Sequence, residues 1–409
     1  MNPVEVVVVG AGQRGRDVYG AWIRNHPEEA RVVAVCDIDR DRARSMARLH
    51  GTDLVFDDPA EVFSGGRLGQ AIIIATPDRF HHGPAGAALE LGYDVLVEKP
   101  MASSLADCVD LVARAETSAG SLHVGHVLRY TPFFRRLHDL IGDIGDVVTV
   151  EHRENVASWH MAHSFVRGNW AIAERSTPMI VQKCCHDFDI LSWNLPSRVA
   201  SLYSVGSLYE FHPHRAPTNA TSRCLECPVD DCPYDARPVY LDMSRSGWPV
   251  SVITEDLSHG GRVEALRTGP YGRCAFRAGS TVVDNQTVTM QTEDGATVSL
   301  VMHGHSHVEE RTMRYDGTRA TIRGVFGARQ HLEIHEHRSK IRREVDIPQP
   351  RSGHGGGDDG IMRSFFSSVR TGGTGPTEAA TSLESHLLAF AAEDSRLTGV
   401  PVDVATLRP

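Results

Sequence analysis

Short apolar runs rich in β-branched residues alternate with amphipathic stretches through the first 125 residues. Continuous apolar runs predict strands covered on both faces, and helical stretches of about 10–15 residues between them indicate parallel pairing. The predicted strands span residues 6–9, 31–37, 71–75 and 94–98, and a fifth begins at residue 123. The pattern therefore predicts an α/β fold that starts with a doubly wound parallel sheet.

From residue 127 onward, apolar and polar positions alternate between longer loops. This alternation is typical of antiparallel strands, so we expect a C-terminal α+β unit with an open, mainly antiparallel sheet. Its predicted strands span residues 146–154, 199–205, 282–291, 297–303, 312–315, 319–323 and 330–335. Its predicted helices span residues 132–141, 178–194, 360–371 and 378–398.

We accordingly expect two domains, residues 1–127 and residues 128–409. Residues 210–275 are predicted to be an inserted Cys-rich loop of the second domain, and a C-terminal helix falls within residues 376–398. The Gly-rich segment 352–359 is predicted to be a loop that ends in helix-capping carboxylates. It is either a plain solvent loop or part of the rim or lid of a site.

Three glycines, Gly10, Gly12 and Gly15, follow the first predicted strand and open a helix. The first glycine of such a motif permits a tight turn, the second admits a pyrophosphate, and the third allows close helix–strand packing. The helix N-terminus then faces the anion. The motif predicts a Rossmann dinucleotide site, with Gln13 and Arg14 also at the cofactor, rather than a bare structural turn.

The choice of cofactor depends on Asp37, which ends the second predicted strand. An acid at this position accepts both hydroxyls of the adenosine ribose and repels a 2′-phosphate. The sequence therefore favours NAD. Two nearby cations, Arg40 and Arg42, leave NADP as the less favoured alternative.

Composition and charge exclude other classes of protein. The chain has 409 residues and a net charge of −10, which argues against general binding to nucleic acid or to anionic membranes. No apolar run approaches the ~18 residues needed to span a bilayer. The N-terminal residues lack a basic region and a cleavage site, so we expect a cytoplasmic protein without a signal peptide.

Several motifs together resemble one family. Glu98-Lys99-Pro100 follows the fourth predicted strand, while Thr76, Pro77 and His81 follow the third. With residues 124–134 and 185–189, they resemble the glucose–fructose oxidoreductase, inositol dehydrogenase and MocA family. The resemblance implies a bilobed protein with a Rossmann domain and an open-sheet domain. It also implies a homodimer or homotetramer formed through the exposed sheet face.

The resemblance assigns a role to Lys99, whose ammonium would contact the reacting hydroxyl. It also implies that the Lys99–Pro100 bond is cis, and that Thr76, Pro77, His81 and Glu98 line the nicotinamide and ribose side. A lone lysine at a strand end is more often a solvated surface charge, but its two neighbours in the motif favour the functional interpretation.

His186 is the candidate general acid/base, because a neutral imidazole can take a hydroxyl proton as hydride leaves the same carbon. The family pattern has an aspartate four residues earlier, and this chain has Gln182 there. Lys183 could instead sit beside Lys99 and His186 as a further catalytic residue. Neighbouring cations would depress each other's proton affinity, which helps a lysine act as a base near neutral pH. Asp187 and Asp189 would orient the helix or the substrate. The alternative is a partly buried histidine on a capped helix.

Residues 155–170 mix aromatic, amide and basic side chains without a helical or strand period. Indole faces stack on sugar faces, while histidine, asparagine and arginine contact hydroxyls or anions. The resemblance places this stretch across the mouth of the active site; alternatively, it is a loop that packs its aromatics on the sheet. The candidate substrate residues are Trp159, His163, Arg167, Asn169, Trp170, Arg129 and Asp189.

Four of the eight cysteines, Cys224, Cys227, Cys232 and Cys274, are grouped by spacing. A CxxC pair with two further thiolates can complete a tetrahedral structural zinc shell, so we predict zinc. The same spacing occurs in a branch of the resembled family with an inserted loop. An iron–sulfur cluster, reduced thiols or a disulfide remain as alternatives. Cys36, Cys108, Cys184 and Cys185 have no metal-binding spacing.

These motifs lead to an NAD-dependent oxidoreductase that acts on a sugar, sugar acid, inositol or glycoside. The alternative is an NAD-dependent glycosidase, in which transient oxidation, usually at C3, permits elimination, water addition and re-reduction. Such an enzyme needs no carboxylate pair. Arg167 and the histidines would serve an anionic sugar such as a sulfoquinovoside. A non-catalytic NAD-bound sensor is the third possibility.

Overall fold

The computed structural model describes residues 2–348 and 353–409. Residues 4–124 contain a six-stranded parallel sheet of order β3-β2-β1-β4-β5-β6, which confirms the doubly wound prediction. Its strands are β1 (Val4–Val9), β2 (Ala30–Cys36), β3 (Val55–Phe56), β4 (Ala71–Ile74), β5 (Asp94–Val97) and β6 (Leu122–Val124). Its helices are α1 (Ala21–Asn25), α2 (Arg40–His50), α3 (Pro59–Ser64), α4 (His82–Glu90) and α5 (Leu105–Thr117).

The second sheet has nine strands in the order β14-β13-β12-β11-β7-β10-β9-β8-β15. It is mainly antiparallel, as predicted, but β7 and β10 pair in parallel. The strands are β7 (Val147–Ala157), β8 (Val199–Ser207), β9 (Asn285–Thr292), β10 (Thr297–Ser306), β11 (Glu310–Gly317), β12 (Ala320–Gly327), β13 (His331–Glu336), β14 (Arg342–Glu344) and β15 (Val402–Asp403).

The remaining helices lie around this sheet and return to the first one. They are α6 (Pro132–Ile141), α7 (Ser158–His160), α8 (Met179–Asn194), α9 (Arg237–Tyr240), α10 (Val250–Ile253), α11 (His259–Thr268), α12 (Gly357–Thr371) and α13 (Ala379–Thr398). Across the described ranges, no helix is both long and apolar enough to cross a membrane.

Local sequence explains where these helices begin and end. Helix α2 is capped by Asp39, whose Oδ1 accepts from the amides of Asp41 and Arg42 at 3.2 and 3.1 Å. It ends at Gly51, whose φ of +68° favours glycine. Helix α6 begins at Pro132, where a missing amide costs no helical hydrogen bond.

Both faces of the parallel sheet are covered. Alternate residues of β1 point to opposite faces, so Val6 and Val8 join one apolar cluster while Val7 and Val9 join the other. The first cluster includes Phe365 of α12, a helix far away in the chain. The C-terminal part of the chain therefore completes the core of the N-terminal sheet.

Some elements differ from the predicted ones. Residues 155–170 are not an aperiodic loop: they extend β7, then form α7 and a wide helical turn, Met161–Arg167. The predicted loop 210–275 contains three short helices, α9, α10 and α11. The acids Asp358 and Asp359 lie in the first turn of α12, two and three residues after its N-cap Gly356, and residue 352 lies outside the described residues.

Buried histidines predict that the free energy of unfolding falls in acid. Burial lowers the pKa of His123 to about 4 and those of His163 and His386 to about 3, and it also lowers the pKa of His126 and His186. The unfolded chain binds these protons near pH 6.5 and the folded chain does not. As pH falls from 6.5 towards its folded pKa, each histidine therefore lowers the free energy of unfolding by about 1.4 kcal/mol per pH unit.

Urea unfolding at about pH 7.5, 6.5 and 5.5 measures this slope. The variant His123→Gln should flatten it, because it removes one of the shifted groups. The variant His259→Gln, at an exposed position, should leave the slope unchanged. Equal slopes in all three proteins would contradict the prediction.

Candidate active site

The turn after β1 needs its glycines for different reasons. Gly10 has a φ of +99°, and a Cβ atom there would lie 2.5 Å from the backbone of Ala75. A Cβ atom on Gly15 would lie 1.8 Å from the carbonyl oxygen of Gly10, whereas that of Gly12 would have nothing within 4 Å. The turn is packed behind Gly10 and Gly15 and open at Gly12, which fits a pyrophosphate. Gln13 is exposed at the same turn.

The acid that follows β2 is buried beside this turn. Asp37 Oδ2 accepts from the amide of Ala11 at 2.7 Å, and Oδ1 accepts from the amide of Asp39 at 2.9 Å. These bonds hold the carboxylate in one orientation. The adjacent Ile38 side chain is 91% exposed, and its apolar surface suits a flat adenine ring. Sequence analysis did not single out Ile38.

A chain of ion pairs joins the glycine turn to the loop after β5. Arg14 Nε donates to Glu98, and Arg14 Nη1 donates to Asp358 at 2.9 Å. The Tyr19 hydroxyl donates a hydrogen bond to the same Glu98 carboxylate at 2.5 Å. Burial alone would raise the pKa of Glu98, but Arg14 outweighs it and lowers that pKa. Arg14 and Glu98, both predicted to bind the cofactor, are therefore paired with each other.

Lys99 stands at the carboxyl end of β5, the edge at which open α/β sheets collect ligands. The Lys99–Pro100 peptide bond is cis, as predicted. Lys99 Nζ donates to the backbone oxygen of Gln182 at 2.7 Å. This hydrogen bond joins Lys99 of the N-terminal domain to helix α8, which packs with the second sheet.

The loop after β4 contributes Thr76, Pro77 and His81. Thr76 is half-buried and Pro77 is exposed at the crevice edge. His81 is buried, with its Nδ1 and Nε2 each 2.8 Å from a backbone oxygen, of Pro100 and Thr76 respectively. His81 therefore positions two loops and has no free ring nitrogen to offer the cofactor.

Helix α8 carries Gln182 and His186 one turn apart on one face. Burial lowers the pKa of His186 well below its usual value, and nearby Lys99 and His126 lower it further, so the imidazole is neutral. His186 Nδ1 and Gln182 Oε1 are buried and have no hydrogen-bond partner among the described residues. Both residues lie beside Lys99, whose Nζ binds the Gln182 backbone oxygen and whose charge acts on His186.

Lys183 has surroundings unlike those expected from the sequence. Its Nζ lies 3.1 Å from Glu154 and 2.9 Å from Glu309. Burial alone would lower its pKa, but the two carboxylates raise it well above the usual value. The structure thus contradicts the expected depressed proton affinity: Lys183 is a paired cation. Asp187, on the same face, pairs with Arg311 at 2.8 Å.

Three predicted substrate residues, Arg129, Asp189 and Arg167, instead have partners within the protein. Arg129 Nε and Nη2 donate to the Asp189 carboxylate at 2.7 and 2.8 Å, and both side chains are buried. Arg167 donates to the backbone oxygens of Arg273 and Tyr234 at 2.7 and 2.6 Å. These charges stabilise packing and are not available to a sugar. The sequence does not show which charged side chains have internal partners.

Of two other predicted substrate residues, Trp170 and Asn169, the first contacts the loop after β4. Trp170 Nε1 donates to Asp78 at 3.2 Å, and Thr177 donates to the same carboxylate at 3.0 Å. Asn169 is exposed. Asp78 is a buried acid to which the sequence motifs assign no role.

The last two predicted substrate residues contact the inserted segment. Trp159 packs against Trp248, with ring centroids 5.2 Å apart. His163 Nδ1 lies 2.6 Å from the hydroxyl of Tyr240, and burial lowers the pKa of His163 to about 3. Trp248, which sequence analysis missed, follows no regular period and lies about 90 positions from its partner in the chain.

The four grouped cysteines line one small cavity of about 20 Å³. Within residues 2–348 and 353–409, however, no set of three or more His, Cys, Asp or Glu side chains is arranged to hold a metal ion. Arg167 donates to Cys224 Sγ at 3.5 Å, and burial raises the pKa of Cys224 and Cys232. The arrangement of these side chains therefore does not support the predicted zinc site.

The glycine turn, the buried acid after β2 and the lysine after β5 define a dinucleotide-binding oxidoreductase. Residues 4–126 match the oxidoreductase family's NAD-binding Rossmann fold, and residues 139–404 match its C-terminal alpha/beta domain. The chain therefore belongs to the Gfo/Idh/MocA oxidoreductase family, as the motifs indicated.

One curated relative is similar to this chain over about half of its length. Inositol 2-dehydrogenase 1 of Saccharopolyspora erythraea is 33% identical over 203 residues, 48% of this chain and 56% of that protein. The chain thus spans about half the length of that relative.

Two solved structures share the fold over nearly all of both chains. An Agrobacterium radiobacter oxidoreductase in complex with NAD+, L-tartaric acid and magnesium has a TM-score of 0.70, 17% identity and 99% coverage of each chain. Scyllo-inositol dehydrogenase from Lactobacillus casei, with bound NAD(H) and scyllo-inositol, has a TM-score of 0.68 and 16% identity, and covers 98% of this chain and 99% of that one.

The open space at Gly12 predicts that a substitution there weakens NAD binding without affecting folding. Gly12→Ala should fold normally, because its Cβ meets no protein atom, yet it should weaken NAD binding at least about tenfold by filling the phosphate approach. Calorimetric titration with NAD and a thermal melt measure the two effects. Gly65→Ala, equally open but at the end of α3, is the control. Unchanged NAD affinity in Gly12→Ala would contradict this assignment.

Proposed function

We propose that this protein is an NAD-dependent oxidoreductase that removes hydride from a ring C–OH of a carbohydrate: a sugar, sugar acid, inositol or glycoside. The observation that carries the proposal is the meeting of Lys99 with Gln182 and His186 at the carboxyl edge of the parallel sheet. Family membership supports the chemistry, and the names of the relatives support the substrate class.

Three residues would take part in removing the hydroxyl proton. Neutral His186 has an unpaired Nδ1 that can accept the hydroxyl proton, and Gln182 Oε1 can accept from a neighbouring hydroxyl. Lys99 carries a cationic donor that stabilises the oxygen as it loses its proton. NAD supplies the hydride acceptor when bound at the glycine turn.

We propose NAD rather than NADP as the cofactor. The fixed Asp37 carboxylate would repel a 2′-phosphate. The nearby cations are already engaged: Arg40 pairs with Asp57 at 2.9 Å, and Arg42 pairs with Asp39 at 3.2 Å. Parallel titrations with NAD and NADP test this preference.

Removing either proton-handling residue should abolish most turnover. Lys99→Ala and His186→Gln are each expected to lower kcat by about 10²–10⁴-fold and to leave NAD affinity within about twofold. The measurement is NADH formation from a panel of inositols, aldoses and uronic acids. His259→Gln, on the surface, is the matched histidine control. A Lys99→Ala protein that binds NAD and keeps full activity would refute the proposal.

A second candidate function is an NAD-dependent glycosidase, and Gln182 in place of the family's carboxylate favours it. In that reaction hydride leaves C3, the C2 proton is removed, and the C1–O bond breaks to expel the aglycone. Water then adds at C1, a proton returns to C2 and hydride returns to C3. The net reaction is hydrolysis without consumption of an oxidant. Arg167 lends no support to an anionic substrate, because it is held by backbone oxygens.

One assay distinguishes the two functions. The glycosidase should release 4-nitrophenol from a nitrophenyl glycoside in the presence of catalytic NAD, with no net NADH. The panel includes nitrophenyl sulfoquinovoside as the anionic member. Stoichiometric NADH from a free sugar would instead establish the dehydrogenase. The retention of both Lys99 and His186 argues against a non-catalytic NAD sensor.

We also propose a homodimer or homotetramer formed through the second sheet. Val148, Tyr203 and Val205 are exposed on strands β7 and β8. Exposed apolar side chains on an open sheet favour burial against another copy. Light scattering on the purified protein tests this: a mass of one chain would contradict it.

A further inference from the structure

The inserted segment between β8 and β9 places an exposed indole over the side of the active site. Trp248 is 43% exposed, although a tryptophan has a large apolar surface to bury. Its ring lies 5.2 Å from that of Trp159, 5.0 Å from His160 and 5.4 Å from His163, measured between centroids. These four side chains are called the aromatic wall below.

The aromatic wall lies next to the charged groups around the reacting centre. His160 Nδ1 contacts Glu309 at 2.9 Å, and Glu309 binds Lys183 at 2.9 Å on the helix that carries His186. Burial lowers the pKa of His160, and Lys183 and Lys99 lower it further. The wall is therefore within electrostatic reach of Lys99.

The fold holds Trp248 in place from several sides. The buried Arg262 donates to the backbone oxygens of Tyr240, Asp242 and Arg245, at 3.2, 2.9 and 2.7 Å. These hydrogen bonds fix the backbone segment that leads to Trp248. Beyond it, Val250 is fully buried. The exposure of the indole is thus not the result of a loose loop.

The same segment also reaches the cofactor side. Glu255 lies 3.6 Å from Arg16, which directly follows the glycine turn. The segment therefore extends from the wall on the substrate side to the helix that opens the dinucleotide site.

We propose that Trp248, backed by Trp159, is a stacking subsite for a ring attached to the reacting sugar, so that the natural substrate is a glycoside rather than a free sugar or cyclitol. This inference rests on the proposed function, which places the reacting C–OH at Lys99 and His186. Indoles stack on the C–H face of a pyranose and on aryl rings. An aryl aglycone and a second sugar share this chemistry.

The test compares ligands that differ only in the attached ring. The NAD-loaded full chain is titrated calorimetrically with methyl glycosides, 4-nitrophenyl glycosides and disaccharides of glucose, galactose, mannose and glucuronic acid. Trp248→Ala should weaken binding of the ring-bearing ligands about tenfold and that of the methyl glycosides less than about twofold. Loss with only nitrophenyl ligands identifies an aryl aglycone, and loss with only disaccharides identifies a second sugar.

Two further variants separate stacking from folding. Trp248→Phe keeps an aromatic face and should retain most of the affinity for ring-bearing ligands. Met243→Ala changes a 52% exposed apolar side chain of the same segment outside the wall and should have no effect. Thermal melts and NAD titrations should be unchanged in all three variants.

Equal weakening for methyl and ring-bearing ligands would show a merely structural role for Trp248 and overturn the inference. Unchanged affinity, or no glycoside binding by the parent protein, would overturn it as well. The proposed function fails separately, if ring-selective binding persists while neither NADH nor 4-nitrophenol forms. It survives separately, if free sugars yield NADH and the Trp248 effect is absent.

Discussion

The partly buried ion pair between Arg14 and Glu98 connects the two halves of the candidate active site. Arg14 belongs to the glycine turn, and Glu98 immediately precedes Lys99, so one ion pair sets the glycine turn relative to Lys99. Asp358 at the start of α12 extends the pair to the C-terminal part of the chain. Glu98 is buried, so separating it from Arg14 would leave a buried carboxylate without its cation, which favours one arrangement of all three segments.

Helix α8 then sorts its polar residues by face. Lys183 and Asp187 lie one turn apart and find opposite charges on the second sheet, while Asp189 takes Arg129. Gln182 and His186, also one turn apart, receive no such partners. The crevice is consequently lined by neutral hydrogen-bonding groups and the ammonium of Lys99. This combination suits a substrate with several hydroxyls.

Much of the fold follows from local pattern, and the failures have physical causes. The long apolar runs of β1, β2 and β4 were predictable, whereas β3 and β15 have two residues each and carry no period. The wide turn Met161–Arg167 departs from the 3.6-residue repeat, so its sequence resembled an irregular loop. At the site, the glycines, Asp37, Lys99 and His186 were found because their motifs lie at the ends of predicted strands and on one helix face.

The sequence by itself determined the class of fold, the dinucleotide turn and the identity of the candidate proton-handling residues, because each depends on side chains close together in the chain. Tertiary structure alone decided which charges are available. It paired Arg129 with Asp189, gave Lys183 two carboxylates, engaged Arg167 with backbone oxygens and brought Trp248 against Trp159. Pairing of buried charges and stacking of rings depend on distances between remote segments, and residue spacing does not contain those distances.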